Sequence, residues 1–128
     1  MFPDSFLPAP LTHHELYILL ALAQSDSHIY ALKGKITQNS LGGVQCSVGS
    51  LYRLIGRMHD LGLIEISGTQ PAGKSGKDRV HYSISEYGKI RLQEEYYRLS
   101  HALEIIRYAG LAEAKLPTDL QRLLLPRP

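Results

Sequence analysis

The spacing of apolar residues changes twice along this chain, and these changes constrain the fold more than any other feature. Before Gly62 the apolar residues recur every three or four positions, which is typical of amphipathic helices. In residues 64–67 and 80–84 apolar and polar residues alternate, as they do in half-buried strands. The Gly- and Lys-rich segment 68–78 between them is too long for a tight turn. Helical spacing returns after Ser85, so the sequence predicts helices, a β-hairpin with a flexible basic loop, and a further helix.

Two helices are predicted near the start of the chain. Thr12 followed by Glu15 is a capping-box pattern, which predicts a first helix over residues 12–24. Asp26 or Ser27 is expected to cap the second helix, because both residue types are favoured at helix N-caps.

A third helix is expected to begin at Ser47 and to stop at Gly62, since glycine commonly terminates helices. Its polar face presents Ser50, Arg53 and Arg57. The opposite face is apolar and is expected to be buried. It comprises Val48, Leu51, Leu54, Ile55, Met58 and Leu61.

A long helix is predicted from Ser85 to about residue 109. Apolar residues follow along it at the heptad spacing of a seam between helices. They are Leu92, Tyr96, Leu99, Leu103 and Ile106. Leu16 and Leu20 of the first helix are expected to cover part of this seam. The chain has too few other elements to cover the rest, so we expect a second copy to complete it as a homodimer.

These elements predict a mainly α fold with a small β-hairpin (α+β), namely a winged helix-turn-helix followed by a long C-terminal dimerisation helix. Residues 1–11 are expected to form an extended arm, because their prolines cannot continue a helix. The winged-helix domain is expected at 12–84 and the dimerisation helix at 85–110. Residues 111–128 are expected to form a tail with a short helix.

Net charge is only +2 over the chain, but its distribution is uneven. Residues 1–26 hold three acidic residues and no Lys or Arg, whereas residues 27–84 hold seven basic and three acidic residues. Such a local excess of positive charge indicates a polyanion site around the hairpin. The lone cysteine, Cys46, excludes a disulfide framework within the chain and the multi-cysteine zinc modules.

In a winged helix the third helix enters the major groove of DNA and the hairpin loop follows the phosphate backbone. The side chains expected to supply donors and charge are Ser50, Arg53 and Arg57 on the helix, and Lys74, Lys77 and Arg79 in the hairpin. Other interpretations stay open at this point. The arginines could form a solvated helix face, and the lysines could be a solubilising loop. Tyr52 could be a core residue, and Gly49 could simply suit the start of a helix.

Four segments resemble PadR-type transcriptional regulators. SVGSLYR at residues 47–53 and LGLIE at 61–65 resemble the recognition helix and the first wing strand. HIYAL at 28–32 resembles the start of the second helix. RVHYSISEYG at 79–88 resembles the second wing strand and the turn into the dimerisation helix. The resemblance covers about residues 11–107.

This resemblance implies a dimeric, sequence-specific DNA-binding regulator. Such a protein is usually a repressor released by a small molecule or stress signal, and here we expect it to bind a roughly palindromic operator. Tyr30 would lie close to a phosphate. The other residues implied at the DNA surface are Ser47, Gly49, Ser50, Tyr52 and Arg53. Ile29 stands where the family usually has glycine, and Gly56 stands where a basic residue is common. We therefore expect modest affinity or a heavier reliance on the wing.

Other classes of function fit the residues less well. No Gly-rich phosphate loop, carboxylate pair or nucleophile motif accompanies Cys46, so we expect neither an enzyme nor a cofactor. Cys46 precedes the third helix, whose positive end could lower the thiol pKa, so a redox-sensing regulator is one alternative. A winged helix that binds only protein is another, although its third helix would lack basic residues. His13 and His14 are adjacent and would diverge by about 100° on a helix, so no metal site is expected.

Aromatic residues near the expected dimer interface could hold a flat hydrophobic or aromatic effector, and the candidates are Tyr17, Tyr96 and Tyr97. Packing in the seam and core is the alternative role for them.

The longest apolar run, residues 16–23, is too short to cross a bilayer. The start of the chain lacks the basic stretch of a signal peptide. We therefore expect no membrane association and a cytoplasmic location.

Overall fold

The computed structural model describes residues 7–71, 79–112, 118, 119 and 122. Over these residues it has the predicted order of elements, a mainly α fold with one small hairpin. The elements are α1 (His13–Gln24), α2 (Ile29–Asn39), α3 (Val48–Asp60), β1 (Ile64–Gln70), β2 (Arg79–Ile84) and α4 (Glu86–Tyr108). The chain divides into two compact units, one ending at Glu95 and the other beginning at Tyr96, and α4 contributes residues to both.

The predicted capping box begins α1. The backbone amide of Glu15 donates to Thr12 Oγ1 at 3.2 Å, and the amide of Thr12 donates to Glu15 Oε1 at 2.8 Å. Each residue thus satisfies a backbone donor that the helix leaves unpaired. Just before the cap, the amide of Leu11 donates to the buried carboxylate of Glu95 at 3.0 Å. That bond fixes the entry to α1 within the first unit.

The predicted cap of α2 is wrong, because His28 caps the helix rather than Asp26 or Ser27. Nδ1 of His28 accepts from the amide of Ala31 at 3.3 Å. Ser27 is unavailable for this role, since its backbone pairs with Tyr82 of β2. The amide of Ser27 donates to the Tyr82 carbonyl at 3.1 Å, and the amide of Tyr82 donates back at 2.9 Å.

Helix α3 begins as predicted after Ser47, whose hydroxyl accepts from the amide of Ser50 at 3.1 Å. Leu51, Ile55 and Met58 are fully buried, whereas Val48 and Leu54 are half-buried. Leu61 is exposed, contrary to the predicted buried face. It lies at the C-cap, and Gly62 then turns the chain with φ of +79°, so Leu61 no longer follows the helical stripe.

The hairpin is antiparallel, with Ile64 opposite Ile84 and Ile66 opposite Tyr82. An irregularity between Ile66 and Gly68 shifts the register there. Ile64 is buried, but Ile66 is exposed rather than half-buried as predicted. Every residue of β1 after Ile64 is exposed, so this strand joins the core only at its first residue.

The core of the first unit is formed by α1, α2, α3 and the start of β1. Its buried apolar residues are Leu11, Leu16, Ile18, Leu19, Ala21, Leu22, Ile29, Leu32, Ile36, Val44, Leu51, Ile55, Met58, Leu63 and Ile64. One buried face on each helix leaves the opposite faces of α2 and α3 exposed, so the fold presents them beside the hairpin.

Some predicted elements fall partly or wholly beyond the described residues. Residues 7–10 are exposed and have no helix or strand, while residues 1–6 lie outside the described part. In the predicted C-terminal helix only Thr118, Asp119 and Arg122 are described, and all three are helical. Among the described helices, none combines the length and apolar character needed to span a membrane.

Candidate nucleic-acid interface

A chain of side-chain hydrogen bonds runs along the exposed face of α3. The hydroxyl of Ser47 donates to Ser50 Oγ at 3.1 Å, and Nη2 of Arg53 donates to the same oxygen at 3.2 Å. All three residues are exposed. Ser50 therefore holds the Arg53 guanidinium against the first turn of the helix while its charge faces solvent.

The same face continues with further exposed residues. Tyr52 is 54% exposed and lies on the surface rather than in the core. Gly49 is exposed, and a Cβ atom there would have open space around it. Arg57 follows Arg53 by about one turn and is also exposed. The ion pairs found among the described residues involve neither arginine, so within that part of the chain no carboxylate compensates either positive charge.

A second exposed pair lies where β2 meets α2. Tyr30 is 58% exposed, and the guanidinium carbon of Arg79 lies 5.8 Å from the centroid of its ring. This distance is within the range of a cation–π interaction. The first residue of β2 thus places its positive charge over an exposed tyrosine of α2.

His28 lies beside this pair; from the sequence alone this isolated histidine is expected to be structural or to face DNA. Nη1 of Arg79 lies 3.4 Å from its Nε2 atom, and the ring of His81 meets it edge-on at 5.3 Å. Burial lowers the pKa of His28 below 6.5, and the positive charges of Arg79, His81 and Lys35 lower it further. No local pattern reveals this cluster, since it depends on the pairing of Ser27 with Tyr82, which are 55 positions apart. His28 follows Ser27 in the chain and His81 precedes Tyr82, so the Ser27–Tyr82 pairing is what brings the two histidines together.

The remaining predicted wing residues, Lys74 and Lys77, lie outside the described part of the chain. Their predicted contact with DNA therefore stays a prediction.

Cys46 is half-buried in an open cleft of about 520 Å³ between the starts of α1 and α3. Burial raises the pKa of its thiol, and Lys33 opposes that rise only in part. A thiol with a raised pKa holds less reactive thiolate at neutral pH, which disfavours the redox-sensing alternative. Arg57 and His14 also line this cleft, and His14 Nε2 lies 3.1 Å from the carbonyl oxygen of Gln45.

The predicted dimerisation residues have different environments. Leu16 is buried in the core of the first unit, and Leu20 and Leu92 are half-buried against it. The members of the seam in the second unit are between 46% and 66% exposed; they are Tyr96, Leu99, Leu103 and Ile106.

The effector candidates fall in both units. Tyr17 is half-buried against the core of the first unit. Tyr96 and Tyr97, in the second unit, are exposed and meet edge-on with their ring centroids 5.6 Å apart.

Several solved structures similar to this chain are regulators of transcription. Bacillus subtilis PadR, solved in complex with operator DNA, is 17% identical with a TM-score of 0.60, and the match covers 69% of this chain and 48% of that one. This chain thus spans about half the length of that protein. A PadR family transcription regulator from Clostridium difficile is 18% identical with a TM-score of 0.63, covering 76% and 97% of the two chains. A PadR-like transcriptional regulator from Bacillus cereus is 29% identical with a TM-score of 0.53, covering 80% and 93%.

No curated protein sequence is significantly similar to this chain. A family model, the transcriptional regulator PadR-like family, matches residues 18–94, which is more than half of the chain. That span includes α2, α3 and the hairpin, the elements that carry the surface described above. Together with the likeness of its winged-helix fold to solved PadR regulators, this match shows that the chain belongs to the PadR-like family of transcriptional regulators.

Proposed function

We propose that this regulator binds double-stranded DNA in a sequence-specific manner, through the exposed face of α3 and the adjoining wing. The observation that carries the proposal is the arrangement of Arg53, held by Ser50 at the first turn of an exposed helix and paired with no carboxylate among the described residues. A guanidinium in this position suits the acceptors of guanine in the major groove. Tyr30 and Arg79 would contact the phosphate backbone beside it.

The active form in this proposal is a cytoplasmic homodimer. The exposed apolar seam of α4 in the second unit supports it, because burying such a seam against a copy related by a two-fold axis is favourable. Two copies of α3 would then enter successive major grooves about 34 Å apart, which implies a roughly palindromic operator.

The regulator would act as a repressor released by a signal. The signal would be a small, flat hydrophobic or aromatic molecule, with a stress signal as the alternative. Tyr96 is a member of the seam, and its exposed edge-on pairing with Tyr97 supports a site for such a molecule at the seam itself.

A salt series tests DNA binding. The affinity for duplex DNA is measured by fluorescence anisotropy at increasing salt concentrations, first with random sequence and then with an operator selected from a random pool. A dimer that makes 6–8 phosphate contacts should give a slope of roughly −5 to −7 in a plot of log K against log salt. Binding that is absent, or that does not respond to salt, would contradict the proposal.

A further inference from the structure

The cluster at the junction of α2 and β2 places two nitrogen atoms close together, since Nε2 of His28 and Nη1 of Arg79 lie 3.4 Å apart. Nδ1 of His28 accepts from the amide of Ala31 as the cap of α2. A neutral imidazole carries one ring proton, and with Nδ1 as the acceptor that proton is on Nε2. Nε2 of His28 is therefore a donor, and Nη1 of Arg79, which lies 3.4 Å from it, is also a donor.

The fold keeps both groups in place. The backbone of Ser27 pairs with Tyr82 through two hydrogen bonds, so the residue before the cap is fixed to β2. The ring of His81 packs edge-on against His28 at 5.3 Å, and Nε2 of His81 lies 3.1 Å from Gln70 Oε1 of β1. His81 is thus a positioning residue for the His28 ring.

The charges acting on His28 are positive. Arg79 and His81 face it from β2, and Lys35 acts on it from α2. Lys35 donates to the hydroxyls of Ser25 and Ser27, both at 2.6 Å. Protonation at Nδ1 would add another positive charge and would remove the acceptor that caps α2. Neutral His28 is therefore the form compatible with this arrangement.

We propose that His28 and Arg79 together bind one phosphodiester group of the DNA backbone, with His28 acting as a neutral donor whose tautomer is fixed by its cap of α2. The inference rests on the proposed function, and it adds a residue to the DNA surface. A phosphate oxygen accepts from several donors at once, so Nε2–H of His28 and the guanidinium of Arg79 suit the same group. Tyr30, beneath the guanidinium, orients Arg79 toward it.

The test compares His28→Asn with Arg79→Gln, using a random-sequence duplex at a pH of about 8, where the histidine is neutral. Asparagine keeps an N-cap acceptor for α2 but lacks the Nε2–H donor. His28→Asn is expected to lower the affinity about tenfold for each protomer on the DNA, without changing the salt slope. Arg79→Gln removes a charge and is expected to reduce the slope by about 1 for each protomer. His13→Asn, at the exposed start of α1, is the matched control and is expected to bind as the wild type does.

The double variant tests whether the two residues share one phosphate. The loss from His28→Asn should be smaller in the Arg79→Gln background than in the wild type, because residues acting on one group are not additive. His28→Ser, which also keeps a cap, should repeat the result of His28→Asn, and thermal unfolding shows whether each variant is folded.

The outcomes separate this inference from the proposed function. Wild-type protein that binds DNA while both His28 variants bind equally well would overturn the inference and leave the function standing. A reduced salt slope in His28→Asn would overturn the neutral-donor assignment. Wild-type protein that binds no DNA would overturn both.

NMR spectra distinguish DNA from free anions. The His28 ring signals should shift when duplex is added but not when inorganic phosphate is added at equal ionic strength. An equal shift with inorganic phosphate would show a site for free anions instead.

Discussion

Gly88 packs directly against the carbonyl oxygen of Leu63, at the point where α4 starts beside the turn between α3 and β1. Ser85 secures the same point, since its hydroxyl donates to the Gly62 carbonyl at 2.5 Å and accepts from the amide of Gly88 at 2.9 Å. A Cβ atom at Gly88 would overlap the Leu63 oxygen and would come within 2.8 Å of Ile84 Cγ1. The close approach of two backbones explains why this helical position carries glycine.

Gly88→Ala is accordingly expected to lower the free energy of unfolding by about 1–3 kcal/mol, because the helix must shift to make room for the methyl group. Gly56→Ala is the matched control, since Gly56 is also helical and has open space around it. That change should raise the free energy of unfolding by about 1 kcal/mol. Urea unfolding of the two variants measures both effects. An equal free energy of unfolding for Gly88→Ala and the wild type would show that the backbone makes room for the methyl group without a loss of stability.

Arg53→Ala should weaken binding to a selected operator by about 1–3 kcal/mol and relax the preference at one base pair, because a bidentate contact to guanine would be lost. Anisotropy titrations on the operator and on its single-base variants measure both effects. Lys89→Ala is the control, since Lys89 pairs with Glu86 on α4. If Arg53→Ala and the control bind the operator alike, the DNA surface is not the exposed face of α3.

Leu99→Glu should prevent formation of the proposed homodimer, because its interface would bury a carboxylate without a partner at a cost of about 3–5 kcal/mol. Sedimentation velocity measures the oligomeric state, and operator affinity should fall although every DNA-facing residue is intact. Ala102→Glu adds the same charge to an exposed position outside the predicted seam and should leave the dimer in place. A Leu99→Glu protein that sediments as a dimer would contradict the assignment of the seam.

Acid should destabilise the fold through His28. Burial and the nearby positive charges lower its pKa in the folded chain below 6.5, whereas the unfolded chain keeps the ordinary value. The unfolded chain therefore binds more protons, so this contribution to stability is present above a pH of about 6.5 and is lost as the pH falls below it. Urea unfolding between pH about 7.5 and about 5.5 should show a larger loss for the wild type than for His28→Asn. Parallel curves would contradict the role assigned to the cap.

Local signals in the sequence predicted some features of this fold and missed others. The cap residues Thr12 and Ser47 were predicted correctly, because each bonds to an amide three positions ahead. His28 was missed as a cap, because Ser27 is engaged by a strand far along the chain.

The failures at Leu61 and Ile66 have a similar origin. Both residues continue an apolar pattern in the sequence, yet Leu61 lies at the end of a helix and Ile66 lies where the hairpin has left the core. At the site, Arg53 could be placed from the spacing within one helix. The contact between Arg79 and His28 could not, since it depends on the pairing of elements distant in sequence.

The paired amides of Ser27 and Tyr82 make the start of α2 and the second wing strand a single opening unit. The two hydrogen bonds join the same two residues, so both amide protons are expected to show a similar free energy of opening in hydrogen exchange. A ligand that binds only the wing is therefore expected to slow hydrogen exchange of the Ser27 amide as well. Local opening of the wing and local opening at the start of α2 are therefore expected to be coupled.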